Sequence, residues 1–117
     1  MSRASDLARL QGYLAHWLSH RNSDGNFTIN DSFNSSSQTD NANGDTTVQM
    51  SFNFANTNYC VQATAGSNSV QDRFALILTD SALQQATNTY RVISYDVSVG
   101  GATGITLLQT GAYGDLA

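Results

Sequence analysis

The sequence predicts a mostly β protein, an antiparallel β-sandwich of jelly-roll type preceded by one short N-terminal α-helix. Three observations lead to this fold class. The chain has 117 residues, of which 40% are hydrophobic, enough for one domain with a core. It has no Glu, Lys or Pro, so two strong helix formers are missing, while strand-favouring Thr, Val, Tyr and Phe are present. The hydrophobic period also changes near residue 22, from a helical spacing to strict alternation.

The N-terminal segment predicts an amphipathic helix over residues 5–20. Apolar side chains recur three, four and three residues apart and share one face: Leu7, Leu10, Leu14 and Trp17, with Tyr13 and Leu18 beside them. A helix this short is marginal in water by itself, so it needs a partner surface. We therefore expect residues 1–21 to be an anchoring helix and residues 22–117 to be the sandwich. The candidate assembly residues are Leu7, Leu10, Leu14, Trp17 and Leu18.

Beyond residue 22, short alternating segments between turn signals predict six or seven strands. A first strand is expected from Phe27 to Phe33, followed by a polar loop over residues 35–45 that Asn43 and Gly44 close with a strong tight-turn signal. The remaining strands are expected around residues 48–54, 59–63, 74–78, 91–99 and 105–108. Regular spacing of short strands is typical of a sandwich.

Composition argues against several functional classes. The net charge is −4 and the five arginines are scattered, so no basic stripe is present to neutralise a phosphate backbone. The apolar runs are far shorter than the roughly 18 residues a membrane span requires, and the N-terminus lacks the apolar centre of a signal peptide. The one cysteine, Cys60, lies in a strand-like run and is expected to be a small buried hydrophobe.

Two patterns resemble metal sites, and neither is complete. Residues 40–45 are similar to a calcium loop, but the first ligand position falls on Thr39 and no Glu closes the site. A turn is the simpler interpretation. His16 and His20 are four residues apart, the spacing that presents two imidazoles to one metal on a helix, but no third ligand accompanies them. We expect no metal and no other cofactor, and interpret the pair as polar helix positions or a subunit contact.

The sequence contains no catalytic signature. The serines lack a nucleophile-elbow pattern, and most of the nine aspartates are in turn contexts. We therefore expect a protein that is not an enzyme.

The aromatic residues suggest two roles. Phe33, Phe52, Phe54 and Tyr59 fall at alternating strand positions and predict a core, with a sugar-stacking platform as the alternative. Exposed contacts are expected from the tyrosines that flank loops or the tail, because they carry a polar tip: Tyr90, Tyr95 and Tyr113.

The stretch from residue 29 to residue 61 resembles a module of bacteriophage virion proteins that is often found at the ends of tail fibres. The residues that carry the resemblance keep a fixed order: Ile29, Ser32, Phe33, Asn34, Ser35, Ser36, Thr39, Asp40, Asn41, Asn43, Gly44, Asp45, Thr47, Val48, Phe52, Ala55, Asn58, Tyr59 and Val61. Residues 1–8 are also similar to the start of short phage structural proteins, particularly those of cyanophages. The resemblance ends after Val61, and residues 104–117 match nothing in that module. It implies a β-sandwich, a homotrimer and a place on the virion surface after assembly in the host bacterial cytoplasm.

Two functions follow from this resemblance. The first is a capsid decoration (cement) protein, whose N-terminal helix attaches it to the major capsid protein. The second is a short tail-fibre or receptor-binding tip that docks on a tail or baseplate protein and contacts host surface glycan. A fibre needs a shaft, and the sequence has no long coiled coil or collagen-like repeat. We therefore favour decoration at this point.

Overall fold

A computed structural model describes residues 15–23, 26–66, 73–77, 85–98 and 100–117. Within these residues the chain forms nine β-strands, which lie in the following order: β1 (His16–Ser23), β2 (Asn26–Phe33), β3 (Ser35–Ala42), β4 (Asp45–Met50), β5 (Cys60–Gly66), β6 (Arg73–Ile77), β7 (Thr89–Asp96), β8 (Gly101–Ala102) and β9 (Ile105–Tyr113). The described part contains no helix, and hence none that could cross a membrane.

The strands form two antiparallel sheets. The first sheet has the order β2-β1-β9-β5, and the second has the order β3-β4-β7-β6, with β8 paired to β7. Their inner faces share one core, which is built from residues of both sheets: Leu18, Val48, Met50, Tyr90, Val92, Ile105, Leu108 and Ala112, with Ala15, Phe54 and Tyr59 at one end. The predicted mostly β, antiparallel, sandwich-like class is confirmed.

The predicted helix is wrong for its last five residues, because residues 16–20 belong to β1. Burial alternates along this strand: His16, Leu18, His20 and Asn22 point inward, and the residues between them are half-buried or exposed. The sequence hid this alternation because three of the four inward side chains are polar. Residues 5–14 lie outside the described residues, and the expected domain boundary at residue 21 falls inside β1.

A β-bulge explains why Phe33 is not in the core. The first part of β2 pairs so that Ile29 lies opposite the inward-facing His20, but Asn30 has no partner on β1. The extra residue shifts the register by one and reverses the faces, so Phe33 lies opposite the outward-facing Trp17. Phe33 is 47% exposed, and the prediction that it belongs to the core is wrong. The predictions for Phe54 and Tyr59 are confirmed, and Phe52 packs partly buried against the core.

The predicted tight turn at Asn43 and Gly44 is confirmed and joins β3 to β4. The expected polar loop over residues 35–45 is wrong, because residues 35–42 form β3, an edge strand whose mostly exposed polar side chains concealed it in the sequence. Gly44 has a φ of 76°, a left-handed conformation that favours glycine. A Cβ atom at this position would lie 1.9 Å from the carbonyl oxygen of Thr103, so the chain leaves no room for a side chain. The turn therefore requires glycine for two independent reasons.

Candidate functional site

The outer face of the first sheet carries aromatic and amide side chains in cross-strand rows. In one row Phe33 of β2, Trp17 of β1, Gly111 of β9 and Gln62 of β5 are successive neighbours. The next row contains Ser19, Gln109 and Thr64 among its members, and Tyr113 and Cys60 form a row on the other side. Side chains in one row stand on the same face of the sheet and lie within contact distance of their neighbours.

An open groove of about 300 Å³ lies on this face, between β5 and β9. The outward side chains that line it are Gln62, Thr64, Gln109 and Tyr113, while Gly111, Ala63 and Thr110 complete its surface. Because Gly111 has no side chain, the row from Trp17 to Gln62 is interrupted, and this gap forms the floor of the groove. Its volume is at the lower end of the roughly 300–1,000 Å³ typical of small-molecule pockets.

The groove is chemically neutral. None of its lining residues carries a charge at pH 7, and its outward side chains provide two amides, the hydroxyl of Thr64 and a phenol as donors and acceptors. Trp17, half-buried, stands on the same face on the β1 side of Gly111. Uncharged bidentate groups beside aromatic rings suit a ligand that has several hydroxyl groups and an apolar face.

A second polar cluster lies inside the sandwich and joins the two sheets. The Nε2 atom of His16 is 2.7 Å from the hydroxyl of Tyr90, which is 2.6 Å from Oγ1 of Thr110. The Nδ1 atom of His16 lies 3.1 Å from the carbonyl oxygen of Phe33. A carbonyl only accepts, so Nδ1 carries the proton, and Tyr90 donates to Nε2. Burial lowers the pKa of His16, although backbone hydrogen bonds at Asn34 and Phe33 raise it.

The neighbouring His20 is also neutral and fully buried. Its Nε2 atom lies 3.2 Å from Oγ1 of Thr46, which also accepts a 2.9 Å hydrogen bond from Nδ2 of Asn22. Among the described residues its Nδ1 atom has no hydrogen-bond partner. Burial lowers the pKa of His20 to about 4. These histidines hold the sheets together, and because neither is accessible to solvent, neither is placed to meet a substrate.

A third polar cluster, which contains an ion pair, lies on the outer face of the second sheet. The guanidinium of Arg91 donates to both carboxylate oxygens of Asp45, at 2.7 and 2.6 Å, and Asn41 donates to the same carboxylate at 3.2 Å. Burial alone would raise the pKa of Asp45, but the hydrogen bonds from Arg91 and Asn41 and the positive charge of Arg91 lower it. Asp45 is thus engaged by an arginine, and the described residues contain no group of three metal-ligating side chains.

The structure separates the sequence-predicted site residues. Leu7, Leu10 and Leu14 lie outside the described residues. Trp17 is half-buried on the outer face of the first sheet, whereas Leu18 is buried in the chain's own core.

Of the three tyrosines expected to be exposed, Tyr113 is half-buried and lines the groove, and Tyr95 is half-buried on the second sheet. The expectation for Tyr90 is wrong, because this side chain is 2% exposed and its hydroxyl is hydrogen-bonded to His16 and Thr110. The expectation for Cys60 is also wrong: it is exposed, because in β5 the inward positions are those of Val61, Ala63 and Ala65.

Four groove residues were not predicted from the sequence: Gln62, Thr64, Gln109 and Gly111. The two that lie in β5 could have been found from the sequence. Gln62 and Thr64 alternate with Val61, Ala63 and Ala65, and this alternation predicts an outward polar row. Nothing in the sequence indicates that β9 lies next to β5, since 45 residues separate Thr64 from Gln109.

Comparison with known proteins gives no relative from which a role could be transferred. No known family matches the sequence, and neither a curated protein nor a solved structure shows significant similarity to it.

Proposed function

We propose that this chain is a non-enzymatic bacteriophage virion protein, a short tail-fibre or receptor-binding module that contacts host surface glycan through the groove of the first sheet. The observation that carries this proposal is the neutral groove over Gly111, with Tyr113 at its wall, Trp17 beside it and the amides of Gln62 and Gln109 in reach. Aromatic rings pack against the C–H face of a sugar, and amides pair with neighbouring hydroxyls. The exposed Phe33 extends the aromatic surface on the other side of Trp17.

A binding role fits the described chemistry better than catalysis. The hydrogen-bonded chain of His16, Tyr90 and Thr110 would be the natural candidate for proton transfer, but each of the three is at most 5% exposed. Burial also raises the pKa of Tyr90, which keeps its phenol neutral. A general acid or base must be within hydrogen-bond reach of its substrate, and these groups are enclosed by the sandwich.

The virion part of the proposal rests on the resemblance over residues 29–61. That resemblance also supports a homotrimer, exposure on the virion surface and docking on a tail or baseplate protein. The jelly-roll arrangement and a helix within residues 5–14 belong to the same proposal. The chain passes repeatedly between the two sheets, which favours the jelly-roll arrangement. The spacing of Leu7, Leu10 and Leu14 favours the helix.

Trp17 provides a direct test, because it is the one tryptophan in the chain and stands beside Gly111. We expect neutral monosaccharides (glucose, galactose, mannose and N-acetylglucosamine), titrated separately, to change its fluorescence saturably in at least one case. The Gly111→Val variant should abolish this response by filling the groove. Its new Cβ atom would meet a backbone oxygen at 3.5 Å, an ordinary contact, so the fold is expected to tolerate it.

Gly101→Val is the matched control, since a Cβ atom at Gly101, on the second sheet, has nothing within 4 Å. It should keep the full response. A response that survives Gly111→Val, or no response to any of the four sugars, would contradict the proposal.

Capsid decoration is the second candidate, and one specific observation favours it. The N-terminal segment enters the sandwich at Ala15, two residues before Trp17, whose partner on β2 is the exposed Phe33. Leu7, Leu10 and Leu14 would therefore reach the same end of the molecule as the half-buried Trp17 and the exposed Phe33. Such a continuous apolar surface suits attachment to a capsid subunit.

Counting copies on purified particles distinguishes the two candidates. Immunogold labelling at the tail with a small multiple of three copies would support the receptor-binding module. Hundreds of copies distributed over the head would support capsid decoration and contradict the proposed receptor-binding module.

A further inference from the structure

An exposed apolar patch lies on the outer face of the second sheet, opposite to the groove. Phe74 and Leu76 of β6 pair in register with Tyr95 and Ile93 of β7, so all four side chains stand on one face. The rings of Phe74 and Tyr95 are 5.2 Å apart between centroids. Phe74 is 39% exposed and Leu76 is 37% exposed, whereas Ile93 and Tyr95 are half-buried. We call these four residues the β6 patch.

The β6 patch differs sharply from the rest of its sheet face. Towards β4 the same face carries the Asp45–Arg91 ion pair and the hydroxyl of Thr47, which accepts from Asn41 at 2.8 Å. Those groups are satisfied by each other, whereas Phe74 and Leu76 are exposed on the edge strand β6, with the half-buried Ile93 and Tyr95 beside them on β7. Contiguous exposed apolar surface that is bordered by polar residues marks an interaction site.

The chain itself contains a segment with the matching chemistry. Leu7, Leu10 and Leu14 are spaced so that a helix would present all three on one side, with Asp6 and Arg9 available on the others. Seating the apolar side of a short helix on an apolar surface is a recurrent mode of recognition. Such a helix is too short to be stable alone, so docking would stabilise both partners.

Where the segment joins the sandwich decides which copy it can cover. Leu14 is bonded to Ala15, whose amide donates to Ala112 in the first sheet at 3.2 Å. The adjacent His16 reaches Tyr90 on β7, and Tyr95 is five residues further along, about 17 Å at the rise of an antiparallel strand. The patch also faces outward from the second sheet, about 10 Å beyond the first. Leu14 therefore cannot reach the patch of its own chain, because consecutive Cα atoms are about 3.8 Å apart.

We propose that the β6 patch of one copy binds residues 5–14 of a second copy, as a helix whose three leucines cover Phe74, Leu76, Ile93 and Tyr95. Each copy then provides a segment and a patch, which are different surfaces. The contact is heterologous and closes as a ring or as a reciprocal exchange. This interface is independent of the groove, which faces away on the other sheet.

Complementation between two variants tests this interface. Leu76→Ser alters the patch and keeps the segment, whereas Leu10→Ser alters the segment and keeps the patch. We expect the wild-type chain to sediment as an oligomer and each variant alone to lose at least tenfold in association constant. An equimolar mixture should form a one-to-one pair through the remaining intact segment and patch. Exposed Cys60 allows one variant to be labelled with a fluorescent maleimide, so that pairing is read directly by sedimentation velocity.

A measurement of folding, a substitute variant and a matched control keep the test decisive. Far-ultraviolet circular dichroism verifies that each variant is folded, and Tyr95→Ser replaces Leu76→Ser if the latter is not. Gln49→Ser, on the polar part of the same face, is the matched control and should assemble as wild type does. A monomeric wild-type chain, unchanged assembly of either variant, or a mixture that does not pair would each overturn the proposal. The Trp17 sugar titration is read separately, so failure of one proposal does not imply failure of the other.

Discussion

The two faces of β1 reverse the usual distribution of side chains between the inside and the outside of a protein. Its inner face buries two histidines and an asparagine around Leu18, whereas its outer face presents Trp17. The difference lies in what each side chain meets. The inner polar groups find hydrogen-bond partners on the opposite sheet, mainly Tyr90 and Thr46. A buried polar group is tolerated when it is paired, and a half-exposed aromatic ring remains available to a ligand.

The β-bulge in β2 gives the strongest test of this comparison, because Ile29 and Phe33 lie on opposite sides of it. Ile29→Asp should destabilise the fold by about 3 kcal/mol or more, since it places a charge among core residues. Phe33→Asp should change the free energy of unfolding by less than about 1 kcal/mol. Urea denaturation of both variants measures the difference. Equal losses would show that the two residues share a face.

Acidification should destabilise the inner face selectively. Burial lowers the pKa of His20 to about 4 and also lowers that of His16, so the unfolded chain binds more protons between that value and 6.5. The contribution of the two neutral histidines to the free energy of unfolding is therefore complete above pH 6.5 and is lost as the pH falls towards 4. The loss for His20 is about 2–3 kcal/mol.

Unfolding in urea at pH 7.5, 6, 5 and 4.5 measures this loss. The free energy of unfolding should depend less on pH in the His20→Gln variant than in the wild-type protein. The titration of Asp45 does not contribute to this loss. Its pKa is lowered from 3.8, so its contribution disappears only below that pH. A wild-type stability that does not change between pH 7.5 and 4.5 would contradict the assignment of neutral buried histidines.

Removing one hydroxyl should separate inner from outer tyrosines. Tyr90→Phe leaves His16 and Thr110 without their shared partner and should cost about 1–3 kcal/mol. Tyr95→Phe, on the outer face of the second sheet, should cost less than about 0.5 kcal/mol. Thermal unfolding of the two variants provides the comparison, and a larger effect at Tyr95 would reverse it.

The smallest effect is expected at Cys60, which lies on the outer face opposite Tyr113. The native protein should react with a maleimide as quickly as the urea-unfolded protein, and labelling should leave the unfolding midpoint unchanged. Protection of the thiol in the native state would place Cys60 inside, as the sequence alone suggested.

Sequence reasoning succeeded where one face of a strand is apolar and the other polar. The alternation from Val48 to Phe54 predicted a strand, which the structure confirms as far as Met50, and the Asn43–Gly44 pair predicted the turn that precedes it. It failed at β1, where two histidines and an asparagine occupy the buried positions, so the alternation was invisible and the spacing of Trp17 from the leucines favoured a helix. It failed at Phe33 because a single unpaired residue reversed the faces.

The sequence by itself determined the β class, the turn at Gly44 and the low charge of the surface, because these depend on residue types and their local order. Only the tertiary structure decided what is buried and what is displayed. The groove requires β9 beside β5, and the histidines require Tyr90 and Thr46 across the core. Both depend on contacts between residues far apart in the chain, and a period of two records only that a strand has two faces, not which face turns inward.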